Sequence, residues 1–356
     1  MRLNYLSATD ALAKLQAGQI TSEALVRDCL RRIEEREPDV RAWAAIDRDG
    51  ALSAARNADK VRRNAAGEMR LLLGIPVGVK DTISTADLPT VYNSPIYRDH
   101  RPGSDAAIVD LLRSAGAIVL GKTETVEFAA HGRPAPTRNP CDPTRTPSGS
   151  SSGSAAAVAD FMVPLAIGSQ TGGSLIRPGS YCGCVGFKPT YGTVSTEGVK
   201  PFSVSLDTVG WYGRSVEDIA LVARAFEIVE GALPRQRRLA AMRFGLCQTP
   251  YLIAPSPQCA VRSSRWDGGS PLQVQPSRTL NSALSLRRSP ICRRPSCVEK
   301  GTSHFSTCFA LIQIMSRRAS IGESSGSRTA NLWPRKTRQQ RCVRPSTAWR
   351  NATTPS

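Results

Sequence analysis

The first 254 of the 356 residues predict an α/β fold, because segments with a helical pattern alternate there with short apolar runs. Apolar residues recur at helical spacing in residues 21–37, 103–116 and 214–231. Apolar runs at residues 117–123 and 243–247 indicate short buried strands. Helices that alternate with such strands pack in layers around a sheet.

Each predicted helix carries signals for its ends. Side chains that can cap a first turn open the three segments: Thr21 or Ser22, Ser104 or Asp105, and Ser215. Asp218, three residues after Ser215, gives the third helix a start that resembles a capping box. Gly116 and Gly231 are placed to end the second and third helices.

The chain divides into a domain over residues 1–254 and a basic tail over residues 255–356. The tail is rich in Ser, Arg, Pro and Cys and has no sustained helical or strand period. It contains 17 Lys and Arg residues against three acidic ones, so it accounts for +14 of the net charge of +18. The remaining domain, at +4, is close to neutral, so the basic character of the chain belongs to the tail.

Three interpretations of the tail remain open. Its composition is typical of GC-rich DNA translated in the wrong frame, and we favour a frameshift near codons 251–255. A disordered segment has a similar composition. A basic arm that binds nucleic acid is the third interpretation, and it is not our expectation.

The sequence shows no sign of export or of a membrane partner. The N-terminus lacks the apolar segment of a secretory signal, and no run of 18 apolar residues occurs. We therefore expect a cytoplasmic protein whose ten cysteines stay reduced.

A serine in a glycine-rich turn is the first candidate for catalysis. The sequence SQTGGS follows an apolar run and places Ser174 where the backbone can expose its hydroxyl. A serine nucleophile needs a base. The motif GSSSG around Ser151 follows a proline-rich loop instead of a strand, and the later histidine, His304, lies in the tail. We reject a nucleophile elbow at Ser151 and expect His100 and His131 to be loop or structural residues.

Lys80 is the candidate base, since it directly follows an apolar strand in LLLGIPVGVKD. A lysine that points from a buried strand into the protein loses hydration, which lowers its pKa. The resulting neutral amine can accept a proton. The alternative is a strand-end lysine whose amine extends to water.

Two segments of small residues can bring other groups to Lys80. Residues 146–159 form a loop of serine and glycine that runs into a helix, and SQTGGS forms a tight turn. Successive N–H groups in such a turn suit an oxyanion. The three segments together supply a base, a hydroxyl relay and a nucleophile.

In these segments the chain resembles the amidase signature enzymes. The matching sequences are GIPVGVKD, PSGSSSGSAAAVA, GSQTGGSLIRPGSYCGCVGFKPTYGTVS and SLDTVGWYGRSVEDIALV. The resemblance covers about residues 5–250 and does not extend into the tail. It implies α/β/α layers around a mixed, twisted sheet, truncated on the C-terminal side, and an enzyme that hydrolyses amides.

The resemblance also implies a Ser–cisSer–Lys triad. Ser174 is then the acylated nucleophile, Ser150 the cis-peptide serine that passes the proton, and Lys80 the neutral base. The backbone N–H groups that hold the oxyanion belong to four residues: Thr171, Gly172, Gly173 and Ser174. Such an enzyme works on a small-molecule amide with no cofactor and no metal. The alternative is an inactive, truncated remnant.

Some positions depart from the family pattern or have no assigned role. Ser148 and Ser152 stand where the family loop usually has glycine. Gln170 stands where tRNA-linked members usually have aspartate, which favours a free-standing amidase over the A subunit of glutamyl-tRNA amidotransferase. Arg177 either braces the turn or meets the substrate. The cysteines near this turn do not show the spacing of a metal site, and we expect them to be core residues: Cys141, Cys182 and Cys184.

Overall fold

The computed structural model describes residues 2–64 and 70–228, which form a mixed six-stranded sheet with helices packed on it. In chain order the strands are β1 Trp43–Ile46, β2 Pro76–Lys80, β3 Ile118–Thr123, β4 Leu165–Gln170, β5 Val185–Phe187 and β6 Thr208–Gly213. Their order across the sheet is β1-β3-β2-β4-β6-β5. β2 is parallel to both β3 and β4, and the pairs β1–β3, β4–β6 and β5–β6 are antiparallel. The predicted mixed α/β architecture is confirmed.

The described residues contain α-helices that alternate with these strands. They are α1 Ala8–Gln16, α2 Ser22–Val40, α3 Arg48–Asn64, α4 Ala107–Ser114, α5 Ser152–Ala159, α6 Ile176–Cys182 and α7 Val216–Ala225. No helix of the described residues is both long enough and apolar enough to cross a membrane.

Two of the three predicted helix starts are confirmed. The Thr21 hydroxyl accepts the N–H of Ala24 at the start of α2. The Ser215 hydroxyl accepts the N–H of Asp218 at the start of α7. Both side chains therefore cap donors that have no partner inside the helix.

The start of α4 and the end of α7 differ from the predicted positions. α4 begins at Ala107, later than expected, because the Asp105 carboxylate binds the Ala86 N–H and the Arg113 guanidinium instead of capping a turn. Gly116 follows its end with φ +88°, as a C′ glycine does. α7 ends at Ala225, before Gly231. Gly231, the predicted strand at 243–247 and the basic tail lie outside the described residues.

The central strands β2 and β3 are covered on both faces. Every residue of β2 and β3 is buried, as expected for parallel strands that lie under helices. The β2–β3 register pairs Val79 with Lys122 and Lys80 with Thr123. Side chains alternate along a strand, so Lys80 and Lys122 lie on opposite faces of the sheet.

α5 approaches the sheet closely because it is built from small residues. Its side chains from Ser152 to Val158 are buried, and the Ser154 hydroxyl donates to the Ile167 carbonyl of β4 at 2.9 Å. A Cβ atom on Gly153 would lie 2.2 Å from the Ala42 carbonyl oxygen and 2.4 Å from the Glu124 nitrogen. Glycine is therefore required where the first turn of α5 meets the backbone of its neighbours.

We expect Gly153→Ala to lower the free energy of unfolding by about 1–3 kcal/mol, because the added methyl group must push α5 away from backbone atoms. Gly103→Ala is the matched control, since a Cβ atom there meets nothing within 4 Å. Its effect should stay within about 0.5 kcal/mol. Urea denaturation of the full chain measures both values, and equal stability of the two variants would contradict the packing argument.

Candidate active site

Lys80 is the last residue of β2, and its side chain is fully buried. Its Nζ lies 2.8 Å from Ser150 Oγ, 3.0 Å from Ser169 Oγ and 3.5 Å from the Ser169 carbonyl oxygen. Burial lowers the pKa of Lys80 to about 7, against a smaller upward effect of the Asp207 carboxylate. The alternative of an amine that extends to water is excluded by this burial.

Ser150 lies in the loop that precedes α5, and the residue is 4% exposed. The Gly149–Ser150 peptide bond is cis. Arg177 Nη2 donates to the Gly149 carbonyl at 3.2 Å, so Arg177 braces this loop from the start of α6. The loop is also fixed on its other side, where the Val126 N–H donates to the Ser150 carbonyl.

Ser148 and Ser152 have different roles in this loop. Ser148 adopts φ +66°, a conformation that glycine takes more readily. Ser152 donates its hydroxyl to the Ser148 carbonyl at 2.7 Å. The second serine thus holds the first in its left-handed conformation.

Residues 171–174 connect β4 to α6 and are called the glycine turn below. Within the described part of the chain, none of its four backbone N–H groups donates to a protein acceptor. The next two N–H groups, of Leu175 and Ile176, are taken by Gln170 Oε1 at 2.7 and 3.1 Å. The turn therefore presents free donors at the place where the sequence predicts an oxyanion site.

Ser174 ends the glycine turn and is 9% exposed. Its carbonyl accepts the Tyr212 hydroxyl at 3.2 Å and the Ser151 N–H at 3.4 Å, which holds the turn beside the Ser150 loop. Among the described residues, no hydrogen bond joins the Ser150 and Ser174 hydroxyls. The structure thus joins Lys80 to Ser150 directly, and backbone contacts hold Ser174 beside the Ser150 loop.

The other candidates from the sequence have structural contacts. Ser151 is fully buried, and its hydroxyl bonds the Ser169 backbone at 3.1 and 3.3 Å. His100 Nδ1 lies 2.8 Å from the Thr90 carbonyl, and His131 is exposed.

The Cys182 and Cys184 thiols contact backbone carbonyls at 3.7 and 3.6 Å. Cys141 is exposed, so the expectation that all three cysteines are core residues is wrong for Cys141.

Sequence reasoning missed Ser169 and Asp207. Ser169 supplies two oxygens to the Lys80 amine, and Asp207 accepts the hydroxyl of Thr171 in the glycine turn. Both residues stand inside motifs that the sequence marks, GSQTGG and SLDTVG. The missing signal is the pairing of β4 with β6, which brings these two motifs together.

Comparison with known proteins identifies the family of the chain. Residues 24–241, more than half of the chain, match the family model described as Amidase. The A subunit of glutamyl-tRNA(Gln) amidotransferase from Carboxydothermus hydrogenoformans is 40% identical over 250 residues, which cover 68% of this chain and 50% of that protein.

Two solved structures show the same relationship in three dimensions. Native peptide amidase from Stenotrophomonas maltophilia matches with a TM-score of 0.58 and 37% identity, over 64% of this chain and 51% of that one. The A subunit of glutamyl-tRNA(Gln) amidotransferase from Thermotoga maritima matches with a TM-score of 0.53 and 36% identity, over 65% and 48%. The chain spans about half the length of each of these relatives. The matched residues contain the buried lysine, the serine loop and the glycine turn, and the chain belongs to the amidase family.

Proposed function

We propose that the protein hydrolyses amides with Ser174 as nucleophile, Ser150 as proton relay and Lys80 as base. The observation that carries this proposal is the contact of the buried Lys80 amine with the Ser150 hydroxyl at 2.8 Å. A pKa of about 7 leaves a large fraction of the amine neutral at neutral pH. A base is most effective when its pKa is near the working pH.

The surroundings of Lys80 suit a neutral amine. Such an amine keeps two N–H donors and one lone pair. The hydroxyl and carbonyl oxygens of Ser169 accept the two N–H groups. The lone pair is then left to accept the proton of the Ser150 hydroxyl, which is the direction of transfer that the relay needs.

The proposed reaction forms an acyl-enzyme in balanced steps. Ser174 Oγ attacks the amide carbonyl carbon and gives its proton to Ser150 Oγ, whose own proton passes to Lys80 Nζ. The C–N bond then breaks, and the proton returns from Lys80 through Ser150 to the leaving nitrogen. Water then attacks the acyl carbon and gives a proton through Ser150 to Lys80. The C–O bond to Ser174 breaks, the proton returns to Ser174 Oγ by the same route, and a carboxylic acid leaves.

Two features support the remaining roles in this mechanism. The free N–H groups of the glycine turn lie beside Ser174 and can hold the oxyanion that the attack creates. Hydrogen bonds between catalytic groups often tighten only when substrate binds. We therefore assign the Ser150–Ser174 contact to the substrate complex.

The substrate proposed for this chain is a small-molecule amide processed by a free-standing enzyme. The support for this choice is Gln170, which stands where tRNA-linked members of the family usually have aspartate. Its side-chain oxygen accepts the N–H groups of Leu175 and Ile176. The similar proteins include a peptide amidase and one component of an amidotransferase. Hydrolysis of simple primary amides would support the free-standing enzyme. Hydrolysis of glutamine alone would support a component of an amidotransferase.

We expect a fluorophosphonate probe to label the wild-type chain and to fail with Ser174→Ala, because the probe phosphonylates an activated serine. Ser180→Ala is the matched control, since Ser180 is an exposed serine on the neighbouring helix α6. Its labelling should equal that of the wild type. Gel fluorescence of the full chain, with a folding check by circular dichroism, gives the measurement.

The outcomes of this labelling experiment separate the proposed enzyme from an inactive remnant. Labelling that survives Ser174→Ala contradicts the assignment of the nucleophile. A folded wild-type chain that takes no label contradicts the proposed activity and supports the inactive remnant.

We also expect the rate of labelling to rise with pH to a plateau, with a midpoint near 7, because only the neutral form of Lys80 accepts the proton. Below the midpoint the rate should fall about tenfold per pH unit. Lys80→Met should remove this dependence together with nearly all of the reactivity. A rate that stays level or falls between pH 6 and 8 would rule out a lysine base with this pKa.

A further inference from the structure

Asp207 lies opposite the glycine turn at the end of the β4–β6 ladder. The antiparallel register pairs Gln170 with Thr208, so Thr171 and Asp207 are the next residues to face each other. The Thr171 hydroxyl donates to Asp207 Oδ1. Asp207 Oδ2 accepts the N–H groups of Phe202 and Ser203 at 2.7 and 2.8 Å. One carboxylate therefore ties the glycine turn to the loop that precedes β6.

We propose that Asp207 is a positioning residue with two effects on the hydrolysis of amides. It anchors the glycine turn through Thr171, and its negative charge stabilises the ammonium that Lys80 becomes when it holds the proton of the nucleophile. This inference rests on the proposed function, because it assigns Asp207 to the same reaction.

The charges around Lys80 single out Asp207 as its electrostatic partner. Lys122 and Asp81 form an ion pair at 3.7 Å, and Lys122 lies on the opposite face of the sheet from Lys80. Arg177 of α6 donates to the Gly149 carbonyl. In the β4–β6 ladder Val209 faces Ser169, whose oxygens hold the Lys80 amine, and Asp207 lies two residues before Val209, on the same face of the sheet. The Asp207 carboxylate raises the pKa of Lys80 against the larger lowering effect of burial.

A negative charge at this position stabilises the protonated form of Lys80, which burial destabilises. A lysine in an apolar site is a poor proton acceptor, because its charged form loses the hydration that water gives. A nearby carboxylate restores part of that stabilisation without exposing the amine. Loss of the charge should leave the base neutral over a wider pH range but less able to hold the proton in the intermediate.

Two variants separate the charge from the anchor. Asp207→Asn keeps the size of the side chain but removes the charge and one of the two acceptor oxygens, so the acid limb of the labelling profile should move to lower pH and the plateau should fall as well. Thr171→Val keeps the carboxylate and removes the hydroxyl donor. Its limb should stay in place while the plateau rate of fluorophosphonate labelling falls about tenfold to a hundredfold, because the oxyanion donors are displaced.

Asp142→Asn is the matched control for the loss of one carboxylate. Asp142 lies in an exposed loop, where its carboxylate binds the nearby Thr144 and Arg145. Neither the limb nor the plateau should change in this variant. An unshifted limb in Asp207→Asn overturns the electrostatic role, and an undiminished plateau in Thr171→Val overturns the anchoring role.

A direct titration of Lys80 tests the charge effect without any activity. The chain is prepared with ¹³C-labelled lysine, and the ¹³Cε shift of Lys80 is followed with pH, its signal being identified by its absence in Lys80→Met. The midpoint should be lower in Asp207→Asn than in the wild type, and an equal midpoint overturns the proposal. A lower midpoint in a chain that takes no label supports the charge effect and rejects the proposed hydrolase. Asp207→Ser replaces Asp207→Asn if the latter does not fold.

Discussion

The amine of Lys80 lies in the interior with hydroxyl and carbonyl oxygens as its partners, and its burial is the constraint on which the site depends. The unfolded chain holds a proton on this lysine up to about pH 10.5, whereas the folded chain loses it near 7. Because the folded pKa is the lower one, the burial opposes folding below pH 10.5. At neutral pH the cost is roughly 4 kcal/mol. The rest of the fold must offset it.

The sheet and the small residues of α5 together bring the groups of the site close to one another. β2, β3 and β4 run parallel side by side, so their carboxyl ends bring Lys80 and Ser169 to one edge of the sheet. α5 packs against these strands with buried serine, alanine and glycine side chains, which lets the Ser150 loop approach the amine. The antiparallel strand β6 then delivers Asp207 to the glycine turn. Base, relay and turn are thus held by backbone geometry more than by long side chains.

The sequence alone predicts much of this arrangement because its signals are local. Period and capping predict the helices that begin at Ser22 and Val216, and an apolar strand before Lys80 predicts its burial. The sequence did not predict the start of α4, because the Asp105 carboxylate binds the Arg113 side chain and the Ala86 N–H instead of an N–H group in the first turn of the helix. The roles of Ser169 and Asp207 were not predicted for a related reason. Their roles arise from strand pairing between distant segments, which local spacing does not encode.

The ionisation of Lys80 in the wild-type chain tests the central claim most directly. Nuclear magnetic resonance of ¹³C-labelled lysine gives the midpoint of its titration in the folded protein. The account predicts a midpoint near 7, which makes the amine a base for the serine relay at neutral pH. A midpoint at the ordinary value of about 10.4 would show a permanent ammonium and contradict the claim that Lys80 accepts the proton of the nucleophile.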